Sequence, residues 1–285
     1  EIWGGVHHLK FIKGVSERLA DGDLKKLADE LSTLGRLLLR RGRFKIALVG
    51  ESSALDVAAP LAAALENSLP PSPAAAGFAP PELPLAPEPP FEGWSTTTAV
   101  SFVARAFRTV RMDHPDAPAL AVIAKLLRSL FLHREIREKG GAYGGFALYG
   151  AEDGLFCLGS YRDPHVVSTL KVYDAAGGFI RSGAYTDEDI KEAVLQICSE
   201  IDKPDPPGPA ARKAFYRGIV GLSDEARKEY KTRLLAVTRE QVRAAAETYF
   251  GATGKPPAVA VISNEDKLKA VNEFPAMQAL SLFRI

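Results

Sequence analysis

Apolar residues recur at spacings of three and four along most of the chain, which predicts a largely helical protein with a few strands. In the first part, helices are predicted over residues 2–19, 23–40 and 56–67, and the leucines of the second fall on one face. The run FKIALVG at residues 44–50 is predicted to be a strand. One strand cannot form a sheet alone, so we expect the first part of the chain to be only a piece of a domain.

After residue 94 the pattern predicts a strand, a long helix and a hairpin. The strand covers residues 95–110, where β-branched and aromatic residues are frequent, and the helix covers about 117–139. AYGGFALYG and LFCLGSYRD flank the turn AEDG and predict two antiparallel strands. Asp163 is a predicted helix N-cap, because proline follows it at the first helical position. Further helices are predicted over residues 165–180, 187–201, 210–220 and 224–235.

The end of the chain repeats the layout of its beginning. TREQVRAAAETYF opens with a capping-box pattern at Thr238 and Gln241, the strand AVAVIS follows, and a last helix starts near Asn264. We infer two related domains of the α+β class, each a layered antiparallel sheet with helices packed on one face. Residues 1–68 are predicted to be the C-terminal remnant of a preceding homologous domain, residues 69–93 a proline-rich linker, and residues 94–285 a complete domain.

Composition narrows the possible partners. The chain has 285 residues, of which 46% are hydrophobic and 25% charged, and its net charge of +1 is typical of a globular protein without a nucleic-acid footprint. No apolar run approaches the roughly 18 residues of a membrane span. We therefore predict neither a nucleic-acid nor a membrane partner. Cys157 and Cys198 are too few for a disulfide framework or a structural zinc site, which favours a reducing compartment.

The segment REIREKGGAYGGFALYG, residues 134–150, admits two interpretations. In the first, Arg137 complements the helix dipole in the last turn, Gly140 or Gly141 supplies a left-handed cap, and Tyr143 is an ordinary strand aromatic. A phosphate-binding loop is excluded, because such loops follow a strand and open a helix, whereas this one follows a helix and opens a strand.

In the second interpretation the glycines let a strand edge approach an extended peptide, which binds by strand addition. Arg137 then binds a carbonyl or carboxylate, and Tyr143 donates a hydrogen bond to an oxyanion, chemistry that suits peptide hydrolysis. The predicted substrate-binding residues are Gly140, Gly141, Ala142, Gly144 and Gly145.

LHREIREKGGAYGG and LFCLGSYRDPHVVSTLKVY resemble the corresponding segments in the C-terminal half of presequence proteases, members of the pitrilysin/insulinase superfamily of zinc peptidases. The resemblance implies four homologous α+β domains in two halves that close around a chamber, with zinc in the N-terminal half. It also implies that Arg137 and Tyr143 are the catalytic pair that grips the substrate and stabilises the tetrahedral intermediate.

The chain departs from that family in its histidines. The inverted zinc motif is His-x-x-Glu-His with a distal glutamate, and none of the histidines here lies in that pattern. They are His7, His8, His114, His133 and His165. We therefore predict no metal site and no cofactor bound by this chain, with zinc in the full-length enzyme. His133, four residues before Arg137 on the predicted helix, is a candidate for the same cleft.

The sequence thus predicts the substrate-binding C-terminal region of a zinc metalloendopeptidase that degrades unstructured peptides such as targeting presequences. Its partners would be peptides and the N-terminal catalytic half of the same protein, and the chain alone would be inactive. The alternative is a non-catalytic peptide-binding or assembly subunit. A third hypothesis is an unrelated α+β scaffold whose glycine loop is structural, without an open strand edge beside Tyr143. The resemblance alone suggests mitochondria or plastids.

Overall fold

The computed structural model describes residues 4–20, 22–72, 88–251 and 254–285, so most of the predicted linker, residues 73–87, lies outside the described residues. The chain divides into two compact units. The first comprises Glu1–Pro84 and Pro204–Gly221, and the second comprises Leu85–Lys203 and Leu222–Ile285.

The described part of the first unit is helical. Its helices are α1 (Gly5–Ala20), α2 (Leu24–Leu38), α3 (Ser52–Ser68) and α7 (Pro207–Val220). The predicted strand at residues 44–50 is wrong, because no other described segment of this unit offers a strand to pair with it. The apolar face predicted for α2 is not buried: Leu24 is 66% exposed and Leu38 is 61% exposed.

The second unit contains the sheet and the other helices. Its elements are β1 (Phe91–Ser95), β2 (Ser101–Arg108), α4 (Ala117–Leu126), a segment of wider π-helical turns that continues α4 (Leu127–Glu138, the π segment), β3 (Gly144–Gly150), β4 (Leu155–Asp163), α5 (Val167–Ser182), α6 (Asp187–Asp202), α8 (Asp224–Leu235), α9 (Arg239–Phe250), β5 (Ala258–Ser263), α10 (Glu265–Asn272) and β6 (Ser281–Arg284).

These bounds confirm the predicted hairpin and the helices after residue 165. The capping box of Thr238 and Gln241 is also confirmed, since the Thr238 side chain accepts from the Gln241 amide and the Gln241 side chain accepts from the Thr238 amide. Two details differ. β1 starts at Phe91, inside the predicted linker, and Asp163 ends β4 without capping α5.

The six strands form one mixed sheet in the order β3-β4-β2-β5-β1-β6. β1 runs parallel to β5 and β6, whereas the remaining neighbours are antiparallel. The α+β class is confirmed, and the sheet is mixed: three of its five strand pairings are antiparallel, as predicted, and the two pairings of β1 are parallel. Parallel neighbours need long crossover connections, and the helices between β1 and β5 supply one.

One face of the sheet is covered by helices, as predicted. Along β2, Val103 and Arg105 are buried while Ala104 between them is exposed, and the same alternation holds in β5, where Val261 is buried and Ala260 is exposed. Val103 pairs with Val261 and Ala104 with Ala260, so burial follows one side of the sheet across both strands. We call the side that carries Phe102, Ala104 and Ala106 the open face.

The covered face packs on the core of the unit, where Leu120 and Ile123 of α4 are fully buried. Tyr173 of α5 donates a hydrogen bond from its buried hydroxyl to the Val103 carbonyl at 3.0 Å. Burial raises the pKa of Tyr173, which keeps the hydroxyl protonated as a donor. Ile136 of the π segment, Ala147 of β3 and Leu158 of β4 belong to the same buried core, which therefore holds these three elements together.

Candidate functional site

Tyr143 directly precedes β3, which is an edge strand. Within the described chain only β4 pairs with it. An edge strand presents unpaired backbone amide and carbonyl groups on its free side, which is where an extended peptide adds. The hypothesis of a purely structural glycine loop required no open edge here, so this geometry argues against it.

The helix before Tyr143 ends in a glycine cap. Gly141 has φ +73°, the left-handed conformation expected of a cap, and its amide donates to the Arg137 carbonyl at 3.0 Å. The Ala142 amide donates to the Ile136 carbonyl at 3.1 Å. A Cβ on Gly140 would lie 2.6 Å from that same Ile136 oxygen. Gly140 and Gly141 are thus both required by the turn that reverses the chain.

The charged side chains next to Arg137 in sequence pair with one another and not with Arg137. Lys139 and Arg134 each donate to the Glu135 carboxylate at 2.9 Å. The hydrogen bond from Lys139, followed by the one from Arg134, lowers the pKa of the Glu135 carboxyl. Arg137 is exposed, and among the described residues no acceptor for its guanidinium is found. Its side chain is therefore available to a ligand, while backbone amides cap the helix.

His133 forms its contact with Glu138, at 3.3 Å between Nδ1 and Oε1. These two residues are five positions apart, the spacing that π-helical turns bring together. The sequence predicted α-helical alignment of His133 with Arg137, and the π segment (Leu127–Glu138) changes that alignment. The structure therefore places the His133 ring beside the Glu138 carboxylate on the helix, and its predicted place in the cleft stays a prediction.

The two glycines that open β3 have different surroundings. A Cβ on Gly145 would lie 2.9 Å from Cβ of Ile136 and 3.1 Å from the Leu132 carbonyl oxygen, so this glycine allows the strand to pack closely on the π segment. A Cβ on Gly144 would meet nothing within 4 Å. Ala142 is 3% exposed and belongs to the core. Of the predicted substrate-binding residues, only Gly144 has neither a close contact, a positive φ nor a place in the core that explains it.

Tyr143 is 69% exposed, and its ring meets the ring of Tyr161 edge to face at 5.8 Å between centroids. Tyr161 in turn meets Phe102 of β2 at 5.4 Å. Aromatic pairs in this geometry are worth roughly 0.5–1.5 kcal/mol and fix the ring orientation. Tyr161 was not among the site residues predicted from the sequence, although it lies in the run LFCLGSYRD and pairs with Gly144 across β3 and β4.

In the described ranges no three or more His, Cys, Asp or Glu side chains are grouped so that they could hold a metal ion. The residues of this chain do not match the ligand set of a zinc peptidase, which needs two histidines from one helix and a glutamate. The same ranges contain no helix long and apolar enough to span a bilayer. The groups available for binding at this site are the Arg137 guanidinium, the Tyr143 hydroxyl and the free edge of β3.

The sequence is similar to several proteins named mitochondrial presequence protease. It is 36% identical to that of Xenopus tropicalis over 174 residues, which cover 61% of this chain and 17% of that protein. It is 41% identical to that of Eremothecium gossypii over 152 residues, covering 53% and 15%. The chain thus spans less than a fifth of the length of these relatives.

The fold is similar to a solved structure described as the peptidase M16 inactive domain from Pseudomonas fluorescens. The TM-score is 0.55 at 17% identity, covering 80% of this chain and 52% of that one, so the likeness concerns the fold alone. A family model described as the PreP C-terminal domain matches residues 92–262, more than half of the chain, including Arg137 and Tyr143. The chain therefore belongs to the family of PreP C-terminal domains, the C-terminal region of presequence-protease-like peptidases of the pitrilysin family.

Proposed function

We propose that this chain is the substrate-binding C-terminal region of a zinc metalloendopeptidase that degrades unstructured peptides such as targeting presequences. The observation that supports this most is the unpaired Arg137 and the exposed Tyr143 at the start of an open edge strand. Neither side chain has a structural partner that explains it among the described residues beyond the ring contact of Tyr143. Both are therefore free to meet a substrate.

The peptide would add to the free edge of β3 as an extended strand, with main-chain hydrogen bonds that do not depend on its sequence. This suits an enzyme that cleaves unstructured peptides of varied sequence. Arg137 would bind a carbonyl or carboxylate of the peptide. Tyr143 would donate its hydroxyl proton to the oxygen that becomes negative in the tetrahedral intermediate, and one such donor is worth roughly 10²–10³ in rate.

The zinc ion and the general base would come from an N-terminal half outside this chain, since the residues that the structure describes do not fit a zinc site. The 285-residue chain alone would then hydrolyse nothing. Residues 1–68 would be the tail of a preceding homologous domain, and the exposed leucines of α2 support this, because such a stripe normally packs against another element. A mitochondrial or plastid location is proposed from the relatives' names and the family resemblance.

The experiment that tests this proposal is cleavage of an unstructured peptide by the full-length protein with Tyr143 replaced by Phe. A loss of turnover supports a substrate-contacting role. Unchanged turnover in that variant would favour the alternative of a non-catalytic peptide-binding or assembly region.

Gly144 gives a second, independent test. It is replaced by Ala and then by Val; the added Cβ meets nothing within 4 Å, so the folded state of the Ala variant should keep its stability. If a peptide passes along this edge, the added groups should obstruct it, and we expect kcat/KM to fall progressively, by roughly tenfold for Val, which corresponds to about 1.4 kcal/mol. Peptide cleavage by both full-length variants measures this, and equal kcat/KM in wild type and Gly144→Val would contradict the proposed path.

A further inference from the structure

β4 has an extra residue where it passes the end of β2. Val103 pairs with Ser160, whereas Ser101 pairs with Asp163, so two residues of β4 lie opposite one residue of β2. This is a β-bulge, a feature that redirects side chains and is frequent beside functional sites. The two residues of the bulge are Tyr161 and Arg162.

The bulge places both of these residues on the same side of the sheet. Ser160 is 4% exposed and Asp163 is 1% exposed, and both pair with buried residues of the covered face. Because side chains alternate along a strand, the one additional residue puts Tyr161 and Arg162 on the opposite side, and both are exposed. Arg162 therefore lies beside Tyr161, whose ring contacts Tyr143.

The backbone of Arg162 is strained. Its φ is +51°, and it is the one residue other than glycine in the described ranges with a positive φ. Such a conformation costs of the order of 1–3 kcal/mol and persists where the surroundings impose it. The next residue, Asp163, is held in place, because its buried carboxylate accepts from the His165 amide at 2.8 Å and from the Thr169 hydroxyl at 2.6 Å.

The surroundings of Arg162 on the open face are apolar. The open-face residues of the neighbouring strand segments are Phe102, Ala104, Ala106, Gly144, Phe146, Leu148, Cys157, Gly159, Ala260 and Ile262. Arg108 and Glu92 are charged residues of the same face, but Arg108 lies at the opposite end of β2 and Glu92 lies on β1, three strands away from β4. No ion-pair partner of Arg162 is found among the described residues. A planar guanidinium without a carboxylate partner in the protein is able to bind one with two parallel hydrogen bonds.

We propose that Arg162 is a specificity-determining residue that binds a carboxylate of the peptide held along β3. This rests on the proposed function, because it needs a peptide to pass Tyr143. Tyr161 pairs with Gly144, so its neighbour Arg162 lies beside the first residue of the edge strand. The carboxylate belongs either to an Asp or Glu side chain of the peptide or to its C-terminus, and the planar guanidinium binds either one with two parallel hydrogen bonds.

The test uses the full-length protein and peptides that differ in one carboxylate. One series places a single Glu or the matched Gln at successive positions on either side of the cleaved bond, and a second series compares a free with an amidated C-terminus. We expect wild type to prefer one carboxylate peptide by roughly tenfold through KM, equivalent to about 1.4 kcal/mol. Arg162→Asn should lose that preference and keep kcat, because Asn tolerates a positive φ, while Arg162→Lys should keep part of it.

The series that responds identifies the carboxylate. A preference that survives in Arg162→Asn, or no preference in wild type in either series, overturns the inference. Fluorescence anisotropy of the same labelled peptides, with zinc removed by a chelator, measures their binding without cleavage. If Tyr143→Phe turns over like wild type while Arg162→Asn still loses carboxylate-dependent binding, the proposed role of Tyr143 fails and the inference about Arg162 stands.

Discussion

Replacing Tyr143 by Phe in the full-length protein should lower kcat for an unstructured peptide by roughly 10²-fold or more, the usual effect of removing one oxyanion donor. Only a hydroxyl is lost. The ring that contacts Tyr161 remains, and among the described residues the hydroxyl makes no hydrogen bond whose loss would weaken the fold. KM should stay within a few-fold, because the donor acts on charge that develops in the transition state.

Tyr161→Phe is the matched control for this prediction. Tyr161 is also an exposed tyrosine, at 46%, and its ring lies next to that of Tyr143. It should retain nearly the kcat of wild type. Steady-state kinetics on one quenched fluorescent peptide compares the three proteins. An equal fall in kcat for both variants would show that the loss does not arise at the Tyr143 hydroxyl.

Gly145→Ala should destabilise the second unit by about 1–3 kcal/mol, the range for overpacking a well-packed contact. The added Cβ would meet Cβ of Ile136 at 2.9 Å and the Leu132 carbonyl oxygen at 3.1 Å. A backbone oxygen cannot rotate away as the end of a side chain can, so β3 and the π segment must separate. That separation would loosen the element that positions both Arg137 and Tyr143.

Gly144→Ala is the matched control here, because it adds the same methyl group one residue earlier, where nothing lies within 4 Å. Its free energy of unfolding should change by less than about 0.5 kcal/mol, as at an ordinary surface position. Urea unfolding of both variants and of wild type measures these changes in the free energy of unfolding. If Gly145→Ala and wild type unfold at the same urea midpoint, the close contact between β3 and the π segment does not require a glycine at this position.

Local signals in the sequence were sufficient for most helices. α8 begins at Asp224 and ends at Leu235 as predicted, and the capping box at Thr238 is formed. The strands were harder, since a strand exists only through its partners. Residues 44–50 have a suitable apolar run but no strand partner among the described residues of their unit. The short β1 is a strand because β5 and β6 lie beside it, and β6 is one because it pairs with β1.

The position of the candidate site could be predicted from the sequence, but the separate roles of its residues could not. Arg137 and Tyr143 were selected by a local motif. The separate tasks of Gly140, Gly144 and Gly145 depend on distances to a helix whose turns widen into π geometry, and no spacing rule predicts those distances. The same is true of Arg162, because a bulge is defined by the register between two strands far apart in sequence.

The central claim is that a peptide lies along the free edge of β3 and meets Tyr143. The most direct measurement is a structure of the full-length protein with zinc removed and an uncleaved peptide bound. We expect an extended peptide paired with β3, with one of its carbonyl oxygens about 2.5–3.0 Å from the Tyr143 hydroxyl oxygen. A peptide bound elsewhere, with Tyr143 and Arg137 facing only solvent, would contradict it.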